Sequence, residues 1–151
     1  MAKLVGVFWF FTLLLFLLFL FYGYAGAPEE LSLGFGQPGQ YLISKGMLFY
    51  LGAGLFFLVN ISCYLGAKLM KLRFQKRQIF YYLRQWLRGF AGISNIFLTF
   101  LLLFISMYNS SESFNLSRYE FLVYVGPILL IGWLILLVVI FMRQGKREPV
   151  V

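Results

Sequence analysis

The chain has 151 residues, 62% of them hydrophobic and 12% charged, with mean hydropathy +0.85, no histidine, one cysteine and a formal net charge of +8. Soluble globular proteins average about 45–50% apolar and about 25% charged residues, so this is the composition of a membrane protein. Without histidine there is no imidazole ligation of haem and no common general base, and Cys63 alone forms no disulfide, redox pair or thiolate cluster within one chain, so no cofactor is expected.

The first apolar run, residues 4–24, carries no charge. Lys3 before it and the small residues Ala25, Gly26 and Ala27 after it resemble a cleavable leader. The run is longer than the roughly 7–15 residues of a leader's apolar core, and Pro28 would follow the cut, so a retained transmembrane helix is expected. Apart from Gly6 and Thr12 it offers little that is small or polar. Its Phe8, Trp9, Phe10, Phe11, Phe16, Phe19 and Phe21 suit lipid or a greasy contact with another membrane subunit.

Three further runs reach spanning length, which is about 20 residues for a bilayer core of roughly 30 Å. They are residues 46–67, 89–108 and 121–142, the last with Gly126 and Pro127 near its start. Between the first two spans, residues 25–45 are rich in Gly and Pro and read as a turn-making loop. Glu29 and Glu30 within it read as a solvated charge pair rather than a catalytic one. The loop 109–120 is polar and holds Asn-x-Ser patterns at Asn109 and Asn115, read as chance in a Ser/Asn-rich loop next to the bilayer.

Charge sets the expected orientation. Eleven of the 13 basic residues lie at the N-terminus, in residues 68–88 or after residue 142, and four of the five acids lie in the two other loops. Short loops rich in Lys and Arg stay cytoplasmic. The expected fold is therefore an all-α integral membrane protein: one domain, residues 1–151, with four transmembrane helices in an up-down bundle and both termini on the cytoplasmic side of the inner membrane.

As bounded here, the four spans contain no Asp, Glu, Lys, Arg or His. Proton- or ion-coupled transporters and voltage sensors rely on such intramembrane groups. No nucleophile–base pair, phosphate loop or metal constellation stands out either, and no enzyme is expected. What the spans do hold is a pattern of small and weakly polar residues. With Ala91 at zero on a helical wheel, Asn95, Ser106 and Thr99 fall at about 40°, about 60° and about 80°, one narrow stripe. In the second span, Gly52, Asn60, Cys63, Gly66 and Ala67 share a face about 120° wide. Such stripes read first as helix-packing surfaces, because small residues let backbones approach and Asn bonds across the contact. The sharper alternative is a ligand or ion path lined by Asn60, Asn95 and Thr99.

The basic hairpin 68–88 turns near Gln75–Gln78, with Gly66 and Gly89 as flanking hinges. Its Arg73, Lys76, Arg77, Arg84 and Arg88 read as a cytoplasmic surface for anionic lipid or a partner, with Tyr81, Tyr82 and Trp86 at headgroup level. Nucleic acid is not an expected partner, because tethering between two spans explains the same composition. The expected function is a non-catalytic accessory, assembly or scaffolding subunit among other integral membrane subunits. The alternative is a small oligomeric transporter, channel or lipid-binding module.

Overall fold

The structure is a computed structural model that describes residues 2–33, 41–73, 78–110 and 121–145. Lys76, Arg77, Asn115, the tip of the first loop and nearly all of the second lie outside the described residues. Helix α1 is Ala2–Gly26, followed by strands β1 (Glu30–Ser32) and β2 (Leu42–Ser44), then helices α2 (Lys45–Arg73), α3 (Gln78–Tyr108) and α4 (Phe121–Gly145). All four helices are long and apolar enough to cross a membrane.

Two helices run well past the apolar windows read from sequence. α2 continues six residues beyond Ala67, to Arg73, and α3 begins at Gln78, eleven residues before Gly89. Hydropathy registers the thickness of an apolar slab, whereas a helix continues through its polar flank as long as nothing breaks it. The basic hairpin is therefore mostly two helix extensions, and Gly66 and Gly89 sit inside helices rather than at hinges.

Contacts fix the helix directions. On α1 and α2, Leu20 meets Gly52, Phe16 stacks on Phe56 with ring centroids 4.7 Å apart, and Trp9 bonds Asn60, so the two run antiparallel. Asn60 with Asn95 and Gly66 with Leu87 give the same result for α2 and α3, as do Trp86 with Trp133 and Phe97 with Gly126 for α3 and α4. The helices alternate up and down. They do not share contacts evenly, because α3 touches all three others and is the hub. Ala91, Gly92, Ile93, Ser94 and Asn95 are all buried in succession, so at that level α3 shows no face to the outside.

Glycines make the close approaches possible. A Cβ on Gly92 would lie 2.5 Å from Phe8 Cε1, one on Gly89 2.1 Å from Trp133 Cζ2, and one on Gly126 1.9 Å from Phe97 Cδ2. Each ring thus fills the space a side chain would occupy, the knob-into-gap packing that small residues allow between membrane helices. Gly126 serves this purpose, while Pro127 lies inside α4.

At the opposite end from the basic extensions, β1 and β2 pair antiparallel, with Leu31 opposite Ile43. Short strands here were not anticipated by the turn-rich composition. They persist because Leu31, 1% exposed, plugs against Phe104 and Ile105 of α3. A two-stranded hairpin alone is marginal, and this apolar anchor supplies what it lacks.

Candidate functional site

Three places in the fold concentrate polar chemistry. The first is a knot at the centre of the helices. On α2, Phe56, Asn60, Cys63 and Ala67 are buried and recur at i, i+4, i+7 and i+11, one helical face. On α3, Ala91, Asn95 and Thr99 are buried on the facing stripe. Asn60 Nδ2 donates to Asn95 Oδ1 at 2.8 Å and to its own-helix Phe56 carbonyl at 2.9 Å, and Asn95 Nδ2 donates back to Asn60 Oδ1 at 3.3 Å. Trp9 Nε1 of α1 donates to the same Asn60 Oδ1 at 2.8 Å, which joins three helices at one amide. Two hydroxyls turn inward on their own helices: Thr99 donates to the Asn95 carbonyl at 2.8 Å and Thr12 to the Trp9 carbonyl at 2.9 Å.

Asn60 therefore uses both amide protons, and its oxygen accepts twice. A saturated amide in an apolar interior holds helices together and offers little to a passing solute. Sequence reasoning did not find Trp9 or Thr12 in this role, because an indole on a Phe-rich helix reads as a lipid anchor. Of the aromatic residues on that helix, Phe16 is wholly buried, while Phe10, Phe11 and Phe21 are exposed. Of the remaining stripe residues, Gly52 and Gly66 are half-buried against Leu20 and Leu87, and Cys63 is buried. Ser106, at the end of the stripe, is exposed, because there it lines a cavity with Leu20 of α1 and Phe49 of α2.

The second place is a cavity of about 420 Å³ under the hairpin, walled by Leu20, Phe49 and Leu102, with Ser106 and Lys45 among its polar lining. Lys45 Nζ is engaged by Glu29 Oε1 at 2.6 Å, on the surface. Asn109 is engaged as well. Its oxygen accepts from the Ser32 amide at 2.8 Å, and its Nδ2 donates to the Ser32 and Ile105 carbonyls at 2.7 and 2.8 Å. The Asn-x-Ser asparagine is thus a pin between α3 and the hairpin. An amide nitrogen so bonded is poorly placed to accept a glycan.

The third place is a cleft of about 470 Å³ between α2 and α3 at the basic end, lined by Tyr64, Ala67, Leu72 and Gln85 together with Lys68, Lys71, Arg84 and Arg88. Arg84 and Arg88 belong to the basic surface expected from sequence, and Arg73 is exposed outside the cleft. Lys68 and Lys71 are additions. The signal for them was the i,i+3 spacing on a helix antiparallel to the i,i+4 pair Arg84 and Arg88. Arg84 rests over the Tyr81 ring, 5.6 Å from its centroid. Gln85 Oε1 is shielded from solvent and has no hydrogen-bond donor among the described residues.

Between this end and the middle, α3 and α4 are clasped reciprocally. Trp86 Nε1 donates to the Trp133 carbonyl at 2.8 Å, and Trp133 Nε1 donates to the Trp86 carbonyl at 3.1 Å. Among the described residues, no three or more of His, Cys, Asp and Glu come together. Comparison with protein-family models, with curated proteins and with solved structures finds no match for this chain.

Proposed function

We propose that the chain is a non-catalytic, multi-pass subunit that assembles with other integral membrane proteins in a cytoplasmic (inner) membrane, both termini on the cytoplasmic side. The observation that carries this reading is how the polar groups of the spans are engaged. Trp9, Thr12, Asn60, Asn95 and Thr99 bond one another or their own helices, and the outward faces of α1, α2 and α4 present Phe11, Leu18, Leu58, Ile128 and Ile135. Such a molecule has little with which to transform a substrate and much with which to pack against neighbours in lipid. The positive-inside distribution supports the orientation.

The test is purification of the tagged full chain from its native membrane in mild detergent, with mass measured by light scattering. The expected particle is heavier than the 17.6 kDa chain and contains an integral membrane protein in fixed stoichiometry. A monomer without any such companion overturns the proposal. A second reading, a lipid-binding module, is favoured by one observation, the basic cleft with a Gln85 oxygen that has no donor among the described residues.

A further inference from the structure

We infer that the cleft between α2 and α3 binds the headgroup of one anionic phospholipid that carries both a phosphodiester and a free hydroxyl, of the phosphatidylglycerol kind. The inference rests on the membrane-embedded reading of the helices and is independent of whether the chain has a protein partner.

Charge comes first. Lys68, Lys71, Arg84 and Arg88 line one cavity that contains no carboxylate, and among the described residues the acids are Glu29 and Glu30, at the other end of the molecule. Four cations around one space repel one another, and an anion between them relieves that repulsion. Arg84, held against the Tyr81 ring, loses less freedom on binding than a loose side chain would. The cleft volume, about 470 Å³, lies within the usual range for small-ligand sites.

Position comes second. Tyr64, Ala67 and Leu72 give the cleft an apolar wall, and the uncharged stretch of α3 begins at Gly89, directly after Arg88. Tyr81, Tyr82 and Trp86 mark headgroup depth on the same helix. An occupant whose phosphate meets the cations has its acyl chains beside exposed Leu65 and Ile61 of α2. A soluble anion would make no use of that wall.

Gln85 selects among lipids. Its Oε1 is a buried acceptor with no donor among the described residues, which is costly to leave so. The terminal torsion of a Gln is broad, so a modest rotation turns the oxygen toward an occupant that brings a donor. A phosphodiester only accepts. A choline headgroup has no donor, and an ethanolamine brings its donor on a fifth cation. A glycerol hydroxyl satisfies the oxygen without added positive charge.

The experiment uses the full chain in phosphatidylcholine nanodiscs doped with phosphatidylglycerol or with phosphatidylmethanol, which has the same charge and no hydroxyl, and reads retained lipid by native mass spectrometry. Retention of phosphatidylglycerol is expected to exceed that of both phosphatidylcholine and phosphatidylmethanol. Arg84→Gln with Arg88→Gln should lower it about tenfold or more. Arg73→Gln with Arg143→Gln, an equal loss of charge outside the cleft, should lower it less than about twofold, since screened surface charge acts weakly. Gln85→Leu should bring phosphatidylglycerol down to the level of phosphatidylmethanol. Circular dichroism checks that each variant is folded. Equal losses in the two double variants, equal retention of the two anionic lipids, or displacement by millimolar inorganic phosphate would each overturn the inference.

Discussion

The packing of α3 against α4 is most sharply tested at Gly89. Adding one methyl there places a Cβ 2.1 Å from Trp133 Cζ2, 2.8 Å from Cη2 and 3.0 Å from Cε2, whereas ordinary contact begins at 3.4 Å. The ring would have to retreat by about 1.3 Å. A free side chain could do that cheaply. Trp133 is not free, because its indole donates to the Trp86 carbonyl while the Trp86 indole donates to the Trp133 carbonyl. Overpacking typically costs about 1–3 kcal/mol, and each hydrogen bond weakened adds up to about 1.5 kcal/mol. Against this, Ala is the better helix former by about 0.5–1 kcal/mol. The net expectation for Gly89→Ala is a loss of about 2–3 kcal/mol. Gly132→Ala, on α4 with nothing within 4 Å of its added Cβ, is the control and should be neutral or slightly stabilising. Equilibrium unfolding in mixed micelles, followed by far-ultraviolet circular dichroism, measures both. In a Trp133→Leu background the penalty of Gly89→Ala should largely vanish, because the obstructing ring is gone. If Gly89→Ala and Gly132→Ala agree within about 0.5 kcal/mol, the ring does not sit on Gly89 and this account of the interface is wrong.

Two other perturbations address the knot and the hairpin. Asn60→Leu strips the partner from Trp9 Nε1 and from the Asn95 amide together, and should cost about 1–2 kcal/mol. Adding Asn95→Leu should cost less than it does alone, with a coupling of about 0.6–1.7 kcal/mol by double-mutant cycle in the same micelles, and strict additivity would show that the two amides do not share a network. Asn109→Ala removes two bonds to Ser32 of the strand and one to the Ile105 carbonyl of α3, so the hydrogen exchange of the Ser32 amide should rise about tenfold while that of Asn95 in α3 holds steady. Unchanged exchange at Ser32 would mean that Leu31 alone seats the hairpin.

How much of this was legible in the chain depends on whether a feature is local. Apolar length is local, and four helices long and apolar enough to cross a membrane follow from it. The stripe of Ala91, Asn95 and Thr99 is also local, since residues spaced by four share a helix face. The identity of what meets a face is not local. Gly89 gives no sign in sequence that Trp133 will lie on it, and Trp9 gives no sign that its indole will turn to Asn60 rather than to headgroups. The hairpin was hidden for a related reason: strands of three residues have no periodicity to detect, and their anchor, Leu31, finds its apolar partners more than seventy residues away at Phe104 and Ile105.

The hub position of α3 explains where the polar residues went. A side chain amide cannot face acyl chains without losing its partners, so it needs a helix shielded on every side. Among the described residues only α3 has a stretch of that kind, from Ala91 to Asn95, and it carries the fully buried Asn95. The outer helices each show exposed apolar residues on one side and turn few polar groups inward: Trp9, with Thr12 bonded to its carbonyl, from α1, Asn60 from α2 and the Trp133 indole from α4. The first two converge on the knot, whereas Trp133 clasps α3 near Trp86, closer to the basic end. α4 is therefore held by ring-on-glycine packing and one reciprocal clasp, with no share in the central amide network. In apolar surroundings, where no hydrophobic force draws one helix to another, such an attachment depends on close fit. That is why Gly89 and Gly126, which have no side chain at all, matter most at that interface.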